Sequence, residues 1–183
     1  MIALAVGLAL AVDPSVKPWP IGHGAGYRPP PAPSAVVAGA PIGGLHCVAP
    51  GKTFEVHVEL FANRRVIAVP AGIGVATPFR TTLGTVVPKG CTYPLKTLTP
   101  TGVVEVATGA PLTLGDLFRV WGQRLESHRL GSFTSRGPVR AYLDGRRVSG
   151  SARSLALTRG AEIVLEVGSY VAPHRSFLFP KGS

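Results

Sequence analysis

Charge is scarce in this chain: Asp, Glu, Lys and Arg make up only 15% of its 183 residues, against 45% hydrophobic residues. That balance excludes disorder for most of the length. Lysine is scarcer still, since fourteen of the nineteen basic residues are Arg. There is no lysine-rich arm and no alternating series of base-stacking aromatics, which argues against specific nucleic-acid binding. Cysteine occurs only at 47 and 91, so no Cys-x-x-Cys pair exists to hold a thiolate-bound metal. No apolar run reaches the roughly 20 residues a membrane-spanning helix requires. None of the serines lies in a Gly-x-Ser-x-Gly elbow, and neither a Walker loop nor a dinucleotide glycine signature is present. A complete catalytic set is therefore missing, and the expectation is that the protein is not an enzyme. An envelope hydrolase built on paired carboxylates is kept as a third reading, because any protein with nine acidic residues can supply a pair.

What is present begins with length, enough for one domain plus appendages. The formal net charge is +10. A basic protein of this kind attracts anionic wall polymers or anionic membrane surfaces. Met1 to Val12 is apolar throughout apart from Gly7 and ends in Ala9-Leu10-Ala11, a small-x-small cleavage pattern. Twelve residues cover about 18 Å as a helix. This suits a signal-peptide core or a short anchor, with a buried N-terminal strand as the alternative. The two cysteines agree with export: an even count in a secreted chain is read as a disulfide, Cys47–Cys91, with two buried free thiols as the alternative. The expected location is secreted or extracytoplasmic, with the N-terminal segment cleaved or retained as a membrane tether.

Residues 13–45 hold eight prolines and six glycines. They read as a tether without persistent regular structure, and residues 46–183 as the globular domain. Thr53 to Phe61 alternates, with Phe54, Val56, Val58 and Leu60 on one face and Glu55, His57 and Glu59 on the other, a half-buried strand. Asn63-Arg64 turns it back into Val66–Val69. Strand-like runs follow at 83–87, 92–98 and 103–107. Thr113 is a capping-box residue with Asp116 at N3, opening a helix whose apolar stripe is Leu114, Leu117, Phe118 and Trp121. Val139–Leu143 turns at Asp144-Gly145 toward Arg147-Val148, and Ile163–Val167 is a further strand. Tyr170 to Pro180 reads as an extended apolar segment docked on the domain. The fold class is α+β: a mixed sheet with one main helix and an inserted β segment.

The order hairpin, helix, strand, strand resembles the β-grasp fold of ubiquitin-like and sulfur-carrier proteins, most closely over Val139–Val148 and Leu157–Leu165. The chain ends Pro180-Lys-Gly-Ser183 rather than in the carriers' Gly-Gly, so carrier chemistry is not expected. A second set of pieces comprises Cys47, Val69-Pro70-Ala71-Gly72-Ile73-Gly74, Cys91, Thr101-Gly102-Val103-Val104, Thr113 to Gln123 and Phe179-Pro180. These resemble a family of uncharacterised exported bacterial proteins. That family carries His-x-His in its first strand, then Leu-His-Thr-His-Asp and a later His after the second Cys. Such alternating histidines imply a transition-metal site.

Here the motifs are degenerate. The first strand reads Glu55-Val56-His57, the second run reads Leu95-Lys96-Thr97-Leu98-Thr99, and the later position is Glu105. A lysine ammonium repels a dication and pairs with a carboxylate instead. Glu55, His57, Lys96 and Glu105 are therefore expected to form a surface ion-pair cluster. His57 is the remaining candidate metal ligand, and a divalent transition metal is the alternative to no cofactor at all. The other histidines, 23, 46, 128 and 174, read as solvated or locally bonded. The functional expectation is a non-catalytic exported binding or structural module of the cell envelope, with a cationic surface facing an anionic envelope polymer or membrane surface. A metal-handling protein with a reduced His/Glu site is the alternative.

Overall fold

The computed structural model describes residues 17–21 and 32–179. Along the chain lie β1 (Lys17–Ile21), α1 (Ser34–Ala38), β2 (Thr53–Ala62), β3 (Arg65–Ile67), β4 (Phe79–Thr82), β5 (Thr85–Pro88), β6 (Leu95–Lys96) and β7 (Val103–Ala107). Then come α2 (Leu114–Trp121), β8 (Leu125–Glu126), β9 (Arg129–Leu130), β10 (Phe133–Thr134), β11 (Arg140–Leu143), β12 (Arg146–Arg147), a 3₁₀ turn (Ala152–Ser154) and β13 (Glu162–Val167). This is a mixed α+β domain with one main helix. The Met1–Val12 segment lies outside the described residues, and no described helix is long and apolar enough to cross a membrane.

β2 is the axis of the main sheet because its alternating apolar residues meet a helix on one side. The sheet runs β1-β3-β2-β13-β11-β12, with β6 and β7 added along the first half of β2. The two central strands, β2 and β13, are parallel, in register from His57 opposite Glu162 to Ala62 opposite Val167. The β2–β3 and β11–β12 turns each place two residues at positive φ, Asn63-Arg64 and Asp144-Gly145. That twist matches the right-handed twist of the flanking strands. β7 pairs with Thr53–His57 of β2 and β3 with Leu60–Ala62 on the same edge. The Val58 N–H still reaches the Gly102 carbonyl at 2.9 Å, and a gap between β7 and β3 is left beside Glu59.

Val56, Val58, Leu60, Val104, Val106, Ile163 and Leu165 turn to α2 and meet Leu114, Leu117, Phe118 and Val120. Burying side chains of this kind stabilises by about 1.5–3 kcal/mol each. The helix begins as expected. Thr113 Oγ1 accepts from the Asp116 N–H at 3.3 Å, and Asp116 Oδ2 accepts from the Thr113 N–H at 3.0 Å. Gly122 ends it at φ 71°, a left-handed position that glycine adopts without steric cost. Trp121 is only half-buried, and Val120 takes the enclosed flank instead.

Several expectations need correction. The proline-rich segment is not uniformly irregular: β1 pairs in parallel with β3, and α1 follows Pro33. Val36 joins the main core, and the Tyr93 hydroxyl reaches the carbonyls of Ala35 (2.9 Å) and Ala40. Proline at a helix start costs little because the first amides lack intrahelical partners anyway, so Pro33 opens the helix rather than preventing it. The run 92–98 keeps only Leu95–Lys96 as a strand. The rest, Thr97 above all, spends its polar groups on the Ile73 and Pro70 backbone. The run 83–87 is one arm of the β4–β5 hairpin, whose tip residue Leu83 is fully exposed. β2 is buried on both faces rather than half-buried. His57 and Phe61 are enclosed because the segment after β13 lies over them, with Val171 against Phe61 and Phe177 against His57.

Cys47 and Cys91 are bonded, with their Cα atoms 5.4 Å apart. The bond ties the end of the α1 segment to the approach to β6, and it indicates an oxidising, extracellular environment.

Candidate functional site

The face of β2 opposite the helix carries Glu55, His57 and Glu59 at alternate positions, as the period of a strand requires. Register sorts these residues and their neighbours into separate groups. Glu55 lies opposite Glu105 on β7, and Glu105 lies opposite Lys96 on β6. The Lys96 ammonium meets Glu105 at 2.8 Å. The expected pairing of Lys96 with a carboxylate is thus present, but it is not a surface feature, since Lys96 is 6% exposed. Glu55 completes the row and keeps one buried carboxylate oxygen without a partner.

His57 does not join that row. Its Nδ1 lies 2.7 Å from Glu162 Oε2, and its Nε2 donates to the Thr101 carbonyl at 2.9 Å. Glu162 is the residue directly opposite on the parallel neighbour β13. Burial disfavours charging His57, but the adjoining Glu162 carboxylate outweighs it, so the His57 pKa is raised above its ordinary value. Burial also raises the Glu162 pKa, and His57 offsets only part of that. The Phe177 ring stacks flat on the imidazole with centroids 3.7 Å apart. Gly102 makes the close approach possible. A Cβ there would lie 2.6 Å from the Val58 carbonyl oxygen and 2.9 Å from His57 Nε2.

Glu59 is held by His174 of the C-terminal segment, Nδ1 to Oε2 at 2.7 Å. His57, Glu59 and His174 line one open cleft of about 380 Å³ at the gap between β3 and β7. One ligand atom each of His57, Glu59 and Glu162 lies within 4.8 Å of the others. Of the four residues expected to cluster, Glu55, Lys96 and Glu105 stand in one row, while His57 is paired with Glu162 instead. Glu162 was missed because it sits at the start of an apolar strand more than a hundred residues away, and only the parallel β2–β13 register brings it to His57. The positions of Glu59 and His174 carried no signal of their pairing.

A third buried pair stabilises the far end of this face. Arg140 on β11 donates through Nε to Glu166 at 2.9 Å, and through a terminal nitrogen to the Gly168 carbonyl at 2.7 Å. Acidic groups are thus drawn inward across the molecule. Of the eight acidic residues beyond position 45, only Glu126 and Asp144 are exposed. Of the sixteen basic residues between 46 and 179, thirteen are exposed. No family model, no curated protein and no solved structure matches this chain.

Proposed function

We propose that the protein is a non-catalytic, exported binding module that holds an anionic polymer of the cell envelope on its cationic outer surface. The observation that carries this reading is the segregation of charge: carboxylates are spent inside the fold while guanidinium groups face solvent. A surface this poor in acidic groups, with Glu126 and Asp144 exposed against thirteen basic side chains, presents a predominantly positive field. Arg146 and Arg147 on β12 form its densest part, with Arg175 folded against the adjoining turn at Gly145. Guanidinium groups suit phosphate and carboxylate partners because their planar fork donates two parallel hydrogen bonds. The bonded cysteines support an extracytoplasmic setting, whether the protein is released or tethered.

We further read the domain as a β-grasp variant. Supporting this is the order β3-β2-β13-β11-β12 around a parallel central pair, with α2 between the first hairpin and β11. We also read the chain as a divergent relative of the exported histidine-motif family, on the motif pieces quoted above.

The test is retention on an immobilised poly(glycerol phosphate) chain across a salt gradient. Binding is expected at about 50 mM salt and is expected to fall steeply by about 200 mM, the signature of counterion release. Arg146→Glu with Arg147→Glu is expected to weaken it at least about tenfold, whereas Arg64→Glu with Arg65→Glu weakens it less. Absence of retention at low salt, or equal loss in the two double variants, overturns the assignment. Anionic vesicles provide the membrane arm of the same measurement.

A further inference from the structure

We infer that His57, Glu59 and Glu162, closed by His174 from the C-terminal segment, form a binding site for one first-row transition dication such as zinc. The inference goes beyond polymer binding and concerns the opposite kind of ligand at a different place in the molecule.

Four observations carry it. The first is the frame: His57 and Glu162 face each other across the two central parallel strands, and Glu59 follows on the same face of β2. Ligands mounted on rigid central strands are held more accurately than ligands on loops. The second is the tautomer. Nε2 of His57 faces a backbone carbonyl, which only accepts, so Nε2 carries the proton. Nδ1 shares one proton with Glu162 Oε2 across 2.7 Å, and a dication that displaces this proton gains the Nδ1 lone pair together with the carboxylate. A histidine that donates one nitrogen to a backbone carbonyl and offers the other to a metal is the usual outer arrangement of a histidine ligand.

The third observation is an unspent oxygen. Glu162 is 1% exposed, yet its Oε1 is buried with no hydrogen-bond partner. A buried carboxylate oxygen left without a donor is costly, and a bound dication removes that cost. The fourth is charge and access. Glu59 and Glu162 together neutralise a dication, while the nearby cations are engaged elsewhere, Lys96 by Glu105 and Arg140 by Glu166. The cleft lined by His57, Glu59 and His174 offers an entry path.

The three donor atoms lie within 4.8 Å of one another. A tetrahedral ion with bonds of about 2.0–2.2 Å sets its ligands about 3.3–3.5 Å apart, so the His57–Glu162 contact of 2.7 Å opens slightly around the ion while the outer ligand moves inward by roughly 1 Å. Glu59 and His174, the least buried of the four, supply that movement. Two imidazoles and two carboxylates select zinc or its neighbours over magnesium, which prefers oxygen and retains its water.

The test uses the full chain, stripped with a chelator and titrated with zinc chloride alone by calorimetry and thermal unfolding. One equivalent is expected to bind with a micromolar Kd, and about 100 µM zinc is expected to raise Tm. Millimolar magnesium is expected to produce neither effect. Glu59→Gln and His174→Ala are each expected to weaken zinc at least about tenfold while leaving the metal-free Tm and polymer retention unchanged. Glu55→Gln is expected to leave zinc affinity as it is. Absence of binding at 100 µM zinc overturns the site, as does equal stabilisation by magnesium. Binding that survives both Glu59→Gln and His174→Ala places the ion elsewhere and overturns it equally.

Discussion

Arg140 is the residue whose removal separates charge from packing most cleanly. Its partner Glu166 is fully buried, and Arg140 is the main group favouring its ionised form, with smaller support from the Val171 backbone and the Arg147 charge. Burial raises the Glu166 pKa above its ordinary 4.5, and Arg140 pulls it only part of the way back. The sign follows from linkage. A carboxyl with a raised folded pKa binds its proton more tightly in the native state than in the unfolded state. Its contribution to stability is therefore fully present below about 4.5 and declines as pH rises through the folded value. Arg140→Ala removes the main force opposing that rise and leaves an uncompensated buried charge at neutral pH. The expected loss is about 3–5 kcal/mol near pH 7 and clearly smaller near pH 4, where the carboxyl is protonated. Urea unfolding at both pH values measures it. An equal loss at the two values would mean that Glu166 is not ionised in the native protein and that Arg140 acts through packing alone.

At the scale of the element, α2 shows how far the sequence could be read. Its start, its capping box and its Gly122 stop are local chemistry, set by residues within one turn, and all three were legible. Which flank of the helix is enclosed was not, because that depends on α1 arriving from residues before Cys47. Val36 lies in the same core as Val120 and leaves Trp121 half-open. The expectation for Trp121 changes accordingly. Phe118→Ala, which empties a fully buried site, is expected to cost about 3–5 kcal/mol, and Trp121→Ala only about half of that. Chemical denaturation of the two variants gives the comparison directly. A larger loss at Trp121 would put the indole inside and reverse the assignment of the two flanks. β2 carries the same lesson. Its alternation revealed a strand and a core face, but His57 and Phe61 became buried through a cover supplied by residues 171–177, far along the chain. Glu162 and His57 met for the same reason: parallel register is long-range information that no window around either residue contains.

For the whole molecule, the disulfide decides how much of the chain behaves as one cooperative unit. Pro33 packs against the end of α2 near Gly122, α1 is secured through Tyr93, and Gly39 lies against the bonded sulfurs. Residues 33–47 therefore form a strap across the helix whose far end is fixed covalently to Cys91. The proline count of this stretch concealed that role, because composition records how easily a segment is left irregular and not what later residues bind to it. Apart from the bond, the strap rests on a five-residue helix, too short to persist without tertiary contacts. Breaking a bridge that spans 44 residues is expected to remove about 4 kcal/mol through the unfolded chain's regained freedom. Cys47→Ser with Cys91→Ser is thus expected to unfold at lower urea. Before that global transition, it should also expose the strap to limited proteolysis between residues 33 and 46, while the bonded protein resists cleavage there. Equal protection in both forms would show that Val36 and Tyr93 hold the strap unaided, with the disulfide acting on the unfolded state alone.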